Sequence, residues 1–170
     1  MSAQVVRLRQ GAWSGAAAPV PRALLDQLHD LLQLDPIAGA SAVRTLFVAS
    51  EAGKARLARH LAPGEQDQAP AAPAFAIIGF DFQFAVSLIL SASASANPDR
   101  GAAVRTAQRS AALQGDTLRL AAAAVGLRAT TIANFDATGL RSEFFAATQA
   151  TVVCLCRLAP EAPLIAASAF

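Results

Sequence analysis

The sequence predicts an α+β fold in which one sheet lies between layers of helix. Three observations carry this. A leucine stripe recurs at helical spacing near the start, two apolar runs have the length of buried strands, and a long alanine-rich stretch in the second half keeps a helical face up to a glycine.

Residues 20–34 place Leu24, Leu25, Leu28, Leu31 and Leu32 on one helical stripe, with Pro21 suited to the first turn and Pro36 barring continuation. Residues 45–49 read as a short buried strand. Ser50 and Glu51 then offer a hydroxyl cap and an acidic first turn for a helix reaching about residue 61, which Pro63-Gly64 ends. Residues 65–73 are polar and proline-bearing, hence a surface loop. Residues 74–80 are continuously apolar with Ile77 and Ile78, as a central strand would be.

Residues 91–101 have low complexity and little to bury, which predicts a loop between two halves of one domain. A long helix follows over about 103–125, with Leu113, Thr117, Leu120, Ala121 and Ala124 sharing a face. Gly126 is placed for a left-handed cap that Leu127 can close. Residues 129–135 and 151–158 are the last strands, joined by a short helix near 140–145. The final strand alternates Val152, Cys154 and Cys156 against Val153, Leu155 and Arg157.

At 170 residues the chain suits a single domain, 1–170, able to bury about two thirds of its unfolded surface without metal or disulfide. The mean hydropathy of +0.40 comes largely from alanine, about a quarter of the chain. The longest apolar run, 71–90, is interrupted by Pro73, Asp81 and Gln83, which argues against a membrane span. Residues 1–11 lack the apolar core of a secretory signal, so the expected location is the cytoplasm.

Fourteen basic against twelve acidic residues give a net charge of +2, too little for a nucleic-acid-binding field. His29 and His60 are far apart, no serine sits in a nucleophile elbow, and Cys154 and Cys156 lack zinc-ligand spacing. Hydrolase and metalloenzyme readings fall away, the histidines read as structural, and the cysteines as buried and reduced. Trp13, the one tryptophan, reads as a packing anchor.

Several strings point to a family. Leu113-Gln114-Gly115, Leu118, Leu120-Ala121-Ala122 and Val125-Gly126-Leu127 form one pattern; Asn134-Phe135-Asp136 and Glu143-Phe144-Phe145 follow it. Lys54, Arg56-Leu57 and Leu61-Ala62-Pro63-Gly64 precede it. Together they resemble the nitroreductase superfamily, most closely the branch of malonic semialdehyde reductases (3-hydroxypropionate dehydrogenases).

The resemblance implies a three-layer α/β/α sandwich with a central mixed sheet and a long dimer-interface helix. It implies a homodimer with FMN in a groove between the subunits, NAD(P)H as reductant and a small aldehyde, quinone or nitro compound as acceptor. FMN requires cationic donors at its phosphate, partners at the ring edge and a donor beside N5. By resemblance, Arg9 (with Arg7 as an alternative) and Gln10 fall in the first flavin motif, Ser41 and Arg44 in the second, and the backbone of Ile132, Ala133 and Asn134 near N5. The branch has Arg-Thr-His-Asn-Gly-Trp where this chain has Arg9-Gln10-Gly11-Ala12-Trp13, and an asparagine is missing from Pro36-Ile37-Ala38-Gly39-Ala40-Ser41. Relatives carry a basic tail where residues 161–170 hold no lysine or arginine. Two readings follow: an FMN-dependent oxidoreductase, or a flavin-free dimer of the same fold that binds a ligand or partner.

Overall fold

A computed structural model describes residues 18–34, 42–93, 99–148 and 150–161. The elements run α1 (Arg22–Gln33), β1 (Val43–Val48), α2 (Glu51–Ala58), α3 (Pro63–Gln66), β2 (Ala74–Phe80), α4 (Phe82–Ala92), α5 (Arg100–Ala124), β3 (Leu127–Thr131), α6 (Ala137–Phe144) and β4 (Thr151–Pro160). The strands order as β1-β2-β4-β3.

β2 occupies the centre, and all seven of its residues are buried. Its even and odd positions feed different cores, as the two-residue period of a strand requires. Ala74, Ala76, Ile78 and Phe80 pack with α1, α4 and α5; Phe75 and Ile77 pack with Leu57 of α2 and Leu140 of α6. Helices therefore cover both faces, and the three-layer α+β expectation holds. The expected mixed sheet does not: every pairing among the described residues is antiparallel.

β4 departs from simple alternation. Ile78 pairs with Cys154 but Gly79 pairs with Val152, so Val153 is an extra residue in a bulge. The bulge puts Val152 with Leu155 in one core and Val153 with Cys154 and Cys156 in the other, where the sequence predicts the reverse placement of the two valines.

α5 buries Ala103, Ala107, Ala111, Gln114, Leu118 and Ala122. The small side chains let the helix lie close to the sheet; a Cβ on Gly115 would come 3.1 Å from Cys154 Sγ. Leu113 and Leu120, on the face read from the sequence, point outward with 60% and 74% of their surface exposed. At the helix end Gly126 has φ +74°, the left-handed cap that glycine adopts without a Cβ clash.

Two helices lie where none is read from the sequence. α3 is a single turn begun by Pro63, where the preceding helix is expected to end, and it runs into the expected loop. α4 replaces the end of the long apolar run: Asp81 Oδ1 accepts from Phe84 N at 2.8 Å and starts it. It buries Ala85 and Val86 and half-exposes Phe84 and Leu88. The loop expected over 91–101 is shortened accordingly at both ends. No helix among the described residues is long and apolar enough to cross a membrane.

Lys54, the only lysine, is buried in α2. Its Nζ donates to Pro70 O and Ala72 O, each at 3.0 Å, and pairs with Glu51 at 2.8 Å. The side chain thus ties the connection before β2 to α2. On the same side Arg157 of β4 reaches Glu65 and Gln68, closing α3 onto the sheet.

Candidate functional site

The segment that follows β3 is fixed at three points. Ile132 N donates to Leu155 O at 2.8 Å, Ala62 N donates to Asn134 O at 3.3 Å, and Asp136 N donates to His60 O at 2.7 Å. The last two bonds flank an isolated bridge between Leu61 and Phe135. Ile132 also buries its side chain, leaving 4% exposed. Between these anchors, Ala133 and Asn134 are exposed, and their backbone N–H groups have no partner among the described residues. A pair of adjacent amides held this way is a ready hydrogen-bond donor to an electronegative ligand atom, because its ordering cost is already met by the fold.

A charged cluster supports the segment from behind. Glu143 of α6 receives Arg56 Nε at 2.7 Å, Arg59 Nη2 at 2.8 Å and His60 Nε2 at 2.5 Å. His60 Nδ1 lies 3.8 Å from Asp136 Oδ2, so the ring stands between two carboxylates. Asp136 also caps α6 through Thr138 N and Gly139 N. Gly139 is required here, since a Cβ would fall 2.3 Å from His60 Nδ1 and 2.4 Å from Asp136 Oδ2. Arg56 additionally stacks over Phe144, 5.2 Å from its centroid. The Arg56 hydrogen bond, then that of His60, and the charge of Arg59 hold the Glu143 carboxyl down at about 2 against an ordinary 4.5.

The sign follows from that depression. Glu143 stabilises the fold fully above the ordinary value, and the contribution disappears as pH falls from 4.5 toward 2. Thermal melts of the wild type are expected to decline across that interval, and Glu143→Gln is expected to melt lower at neutral pH with a flatter acid limb.

An open groove of about 360 Å³ adjoins the segment, lined by Arg59, His60, Leu61, Ala62, Asn134, Phe135 and Asp136. A larger one, about 560 Å³, runs along the outer edge of β1 between α1 and α2, with Leu46, Phe47, Arg56 and Phe144 in its wall.

The residues expected at a flavin site are not brought together within the described part of one chain. Arg44 lies on β1, exposed, and its Nη1 turns back to Val43 O at 3.3 Å. β1 and β3 are opposite edges of the sheet, three strand spacings or about 14 Å apart. The amide of Ile132 is taken by β4, which leaves Ala133 and Asn134 of that triplet. Arg9, Gln10 and Ser41, like Arg7 and Trp13, lie outside the described residues. The His60, Asp136 and Glu143 cluster is absent from the sequence reading. Its only signal is that Asn134-Phe135-Asp136 and Glu143-Phe144-Phe145 stand among the family strings.

No protein-family model matches the sequence. Curated relatives do. The chain is 39% identical over 136 residues to a Stenotrophomonas maltophilia protein provisionally named NADH dehydrogenase/NAD(P)H nitroreductase, covering 76% of this chain and 69% of the relative. A Rhodopseudomonas palustris protein of the same name is 38% identical over 142 residues, covering 79% and 70%. The chain belongs to the nitroreductase family. Among solved structures, a nitroreductase from Exiguobacterium sibiricum, in complex with FMN, superposes with a TM-score of 0.67 over 91% of this chain and 85% of that one, at 17% identity. The family's fold is thus shared where sequence identity is low, and the segment from Ile132 to Asp136 presents two amides with no partner among the described residues beside an open groove.

Proposed function

We propose that this protein is an FMN-dependent NAD(P)H oxidoreductase, acting as a cytoplasmic homodimer on a small aldehyde, quinone or nitro compound. The observation that carries the reading is the pair of amides at Ala133 and Asn134 that have no partner among the described residues, inside a segment fixed by bonds to β4 and to residues 60–62. This arrangement suits the flavin N5, which needs a donor beside it as its electron count changes. The names of the relatives and the FMN in a structural neighbour agree with it.

Bound FMN would supply the two-electron chemistry, accepting hydride from the nicotinamide and passing it to the acceptor. The chain's part is to position it. Ala133 and Asn134 would meet the ring, and Arg9 would meet the phosphate; Gln10, Ser41 and Arg44 would complete the contacts. Arg44, on the far edge from Asn134, would serve the flavin of the partner subunit's groove in this arrangement. The outward Leu113 and Leu120 of α5, with Phe84 and Leu88 of α4, offer apolar surface for a second copy. The strings around Gln114, Phe135 and Glu143 favour the malonic semialdehyde reductase branch, and so a small aldehyde acid as acceptor.

Purified protein incubated with FMN and passed through gel filtration is expected to retain the flavin absorbance in a dimer peak and to oxidise NADH or NADPH only when flavin is present. A colourless dimer that never gains flavin would favour the second reading, a flavin-free binding protein. The absence of the asparagine before Ser41 motivates that alternative.

A further inference from the structure

Two sulfurs take no part in that site. Cys154 and Cys156 are free thiols on β4, and their Sγ atoms lie 3.6 Å apart. In a regular strand, Cα atoms two residues apart are separated by about 6.6 Å, near the upper limit that a disulfide accepts. The bulge at Val153 adds local twist directly beside Cys154, where the two side chains converge.

Their surroundings differ. Cys156 is fully buried, and its hydrogen bond with Cys154 draws its thiol below the ordinary range, assisted by Thr131 Oγ1 at 3.7 Å and by the charge of Arg119. Cys154 is pushed the other way by the same hydrogen bond and by burial. It retains 7% of its surface, and its sulfur rests against Gly115 of α5.

We infer that Cys154 and Cys156 form a reversible dithiol–disulfide pair, closed by a hydroperoxide and reopened by thiols. The thiolate of one cysteine attacks the outer peroxide oxygen, giving a sulfenic acid and an alkoxide or hydroxide that takes the proton of the other thiol. The second thiolate then attacks the sulfenic sulfur and expels hydroxide, which takes up the proton the first thiol had lost. Two thiols and one hydroperoxide become a disulfide, an alcohol or water, and one water; the sulfurs lose two electrons to the O–O bond. Closure brings the sulfurs from 3.6 Å to a covalent distance of about 2.05 Å, and thiol exchange reopens the bond. It also moves Cys154 Sγ relative to its seat on Gly115, so the long helix registers the change.

Native protein is treated with hydrogen peroxide, then denatured, alkylated and weighed intact. The expected product loses about 2 Da, the two hydrogens, with both thiols disappearing together and both restored by dithiothreitol. Cys154→Ser and Cys156→Ser are each expected to abolish that product. Wild-type protein that keeps both thiols, gains oxygen at each sulfur separately, or links two chains would overturn the inference. These readouts need neither flavin nor turnover, so they stand or fall apart from the proposed activity.

Discussion

Replacing Lys54 with methionine is expected to lower the unfolding free energy by about 3 kcal/mol, on the order of a hundredfold in the folding equilibrium. Methionine fills a similar volume but cannot donate. Pro70 O and Ala72 O would then lose their shared donor in a site where Lys54 is only 5% exposed. Ala72 O is buried, and a buried acceptor left without a partner costs about 1–3 kcal/mol; Pro70 is exposed, so its carbonyl adds less. Glu51, 82% exposed, contributes little by comparison, because water already solvates it. Glu51→Gln is therefore expected to shift stability by less than about 1 kcal/mol. Urea titrations check both: the Lys54→Met midpoint falls with an unchanged slope, whereas equal midpoints for the two variants would mean the carbonyls find water instead.

Lys54 also shows what the sequence could convey. It stands in a recognisable string, yet nothing in that string says its partners are carbonyls 16 and 18 residues away. Strands and helices with a clear period were legible. β2 matches the apolar run over 74–80, Ser50 caps α2 through Gly53 N, and Gly126 ends α5 as expected. α4 was hidden because its residues are apolar nearly all round, so no period separates its buried Ala85 and Val86 from its half-exposed Phe84 and Leu88. The bulge at Val153 was hidden too, since one inserted residue reverses the facing of its neighbours without leaving a turn signal.

The site was legible only in outline. The strings located the segment after β3, but the distinction between the amide of Ile132 and those of Ala133 and Asn134 depends on bonds to Leu155, Ala62 and His60. Those partners come from β4 and from the turn after α2, distant in sequence. The cluster around Glu143 is of the same kind: Arg56, Arg59 and His60 meet it across more than eighty positions, and only the packing of α6 against α2 makes them neighbours.

Asn134→Pro is expected to slow flavin reduction by NADH about a hundredfold, the usual consequence of deleting one preorganised donor to a developing charge. Proline removes the N–H and keeps the carbonyl that accepts from Ala62 N, so the strap to residues 60–62 can persist. It asks Ala133 to be extended, a conformation common to the residue before proline. Asn134→Ala supplies the control, because it deletes the exposed side chain and retains the backbone donor; its rate is expected to stay near that of the wild type. Stopped-flow reduction of the flavin-loaded variants, with urea midpoints alongside, separates the cases. Equal slowing in both variants would assign the effect to the Asn134 carboxamide and not to the main chain. Unchanged rates in both, with flavin bound, would place the ring away from this segment, and the fixed bonds at Ile132, Asn134 and Asp136 would then serve only to hold α6 against the sheet.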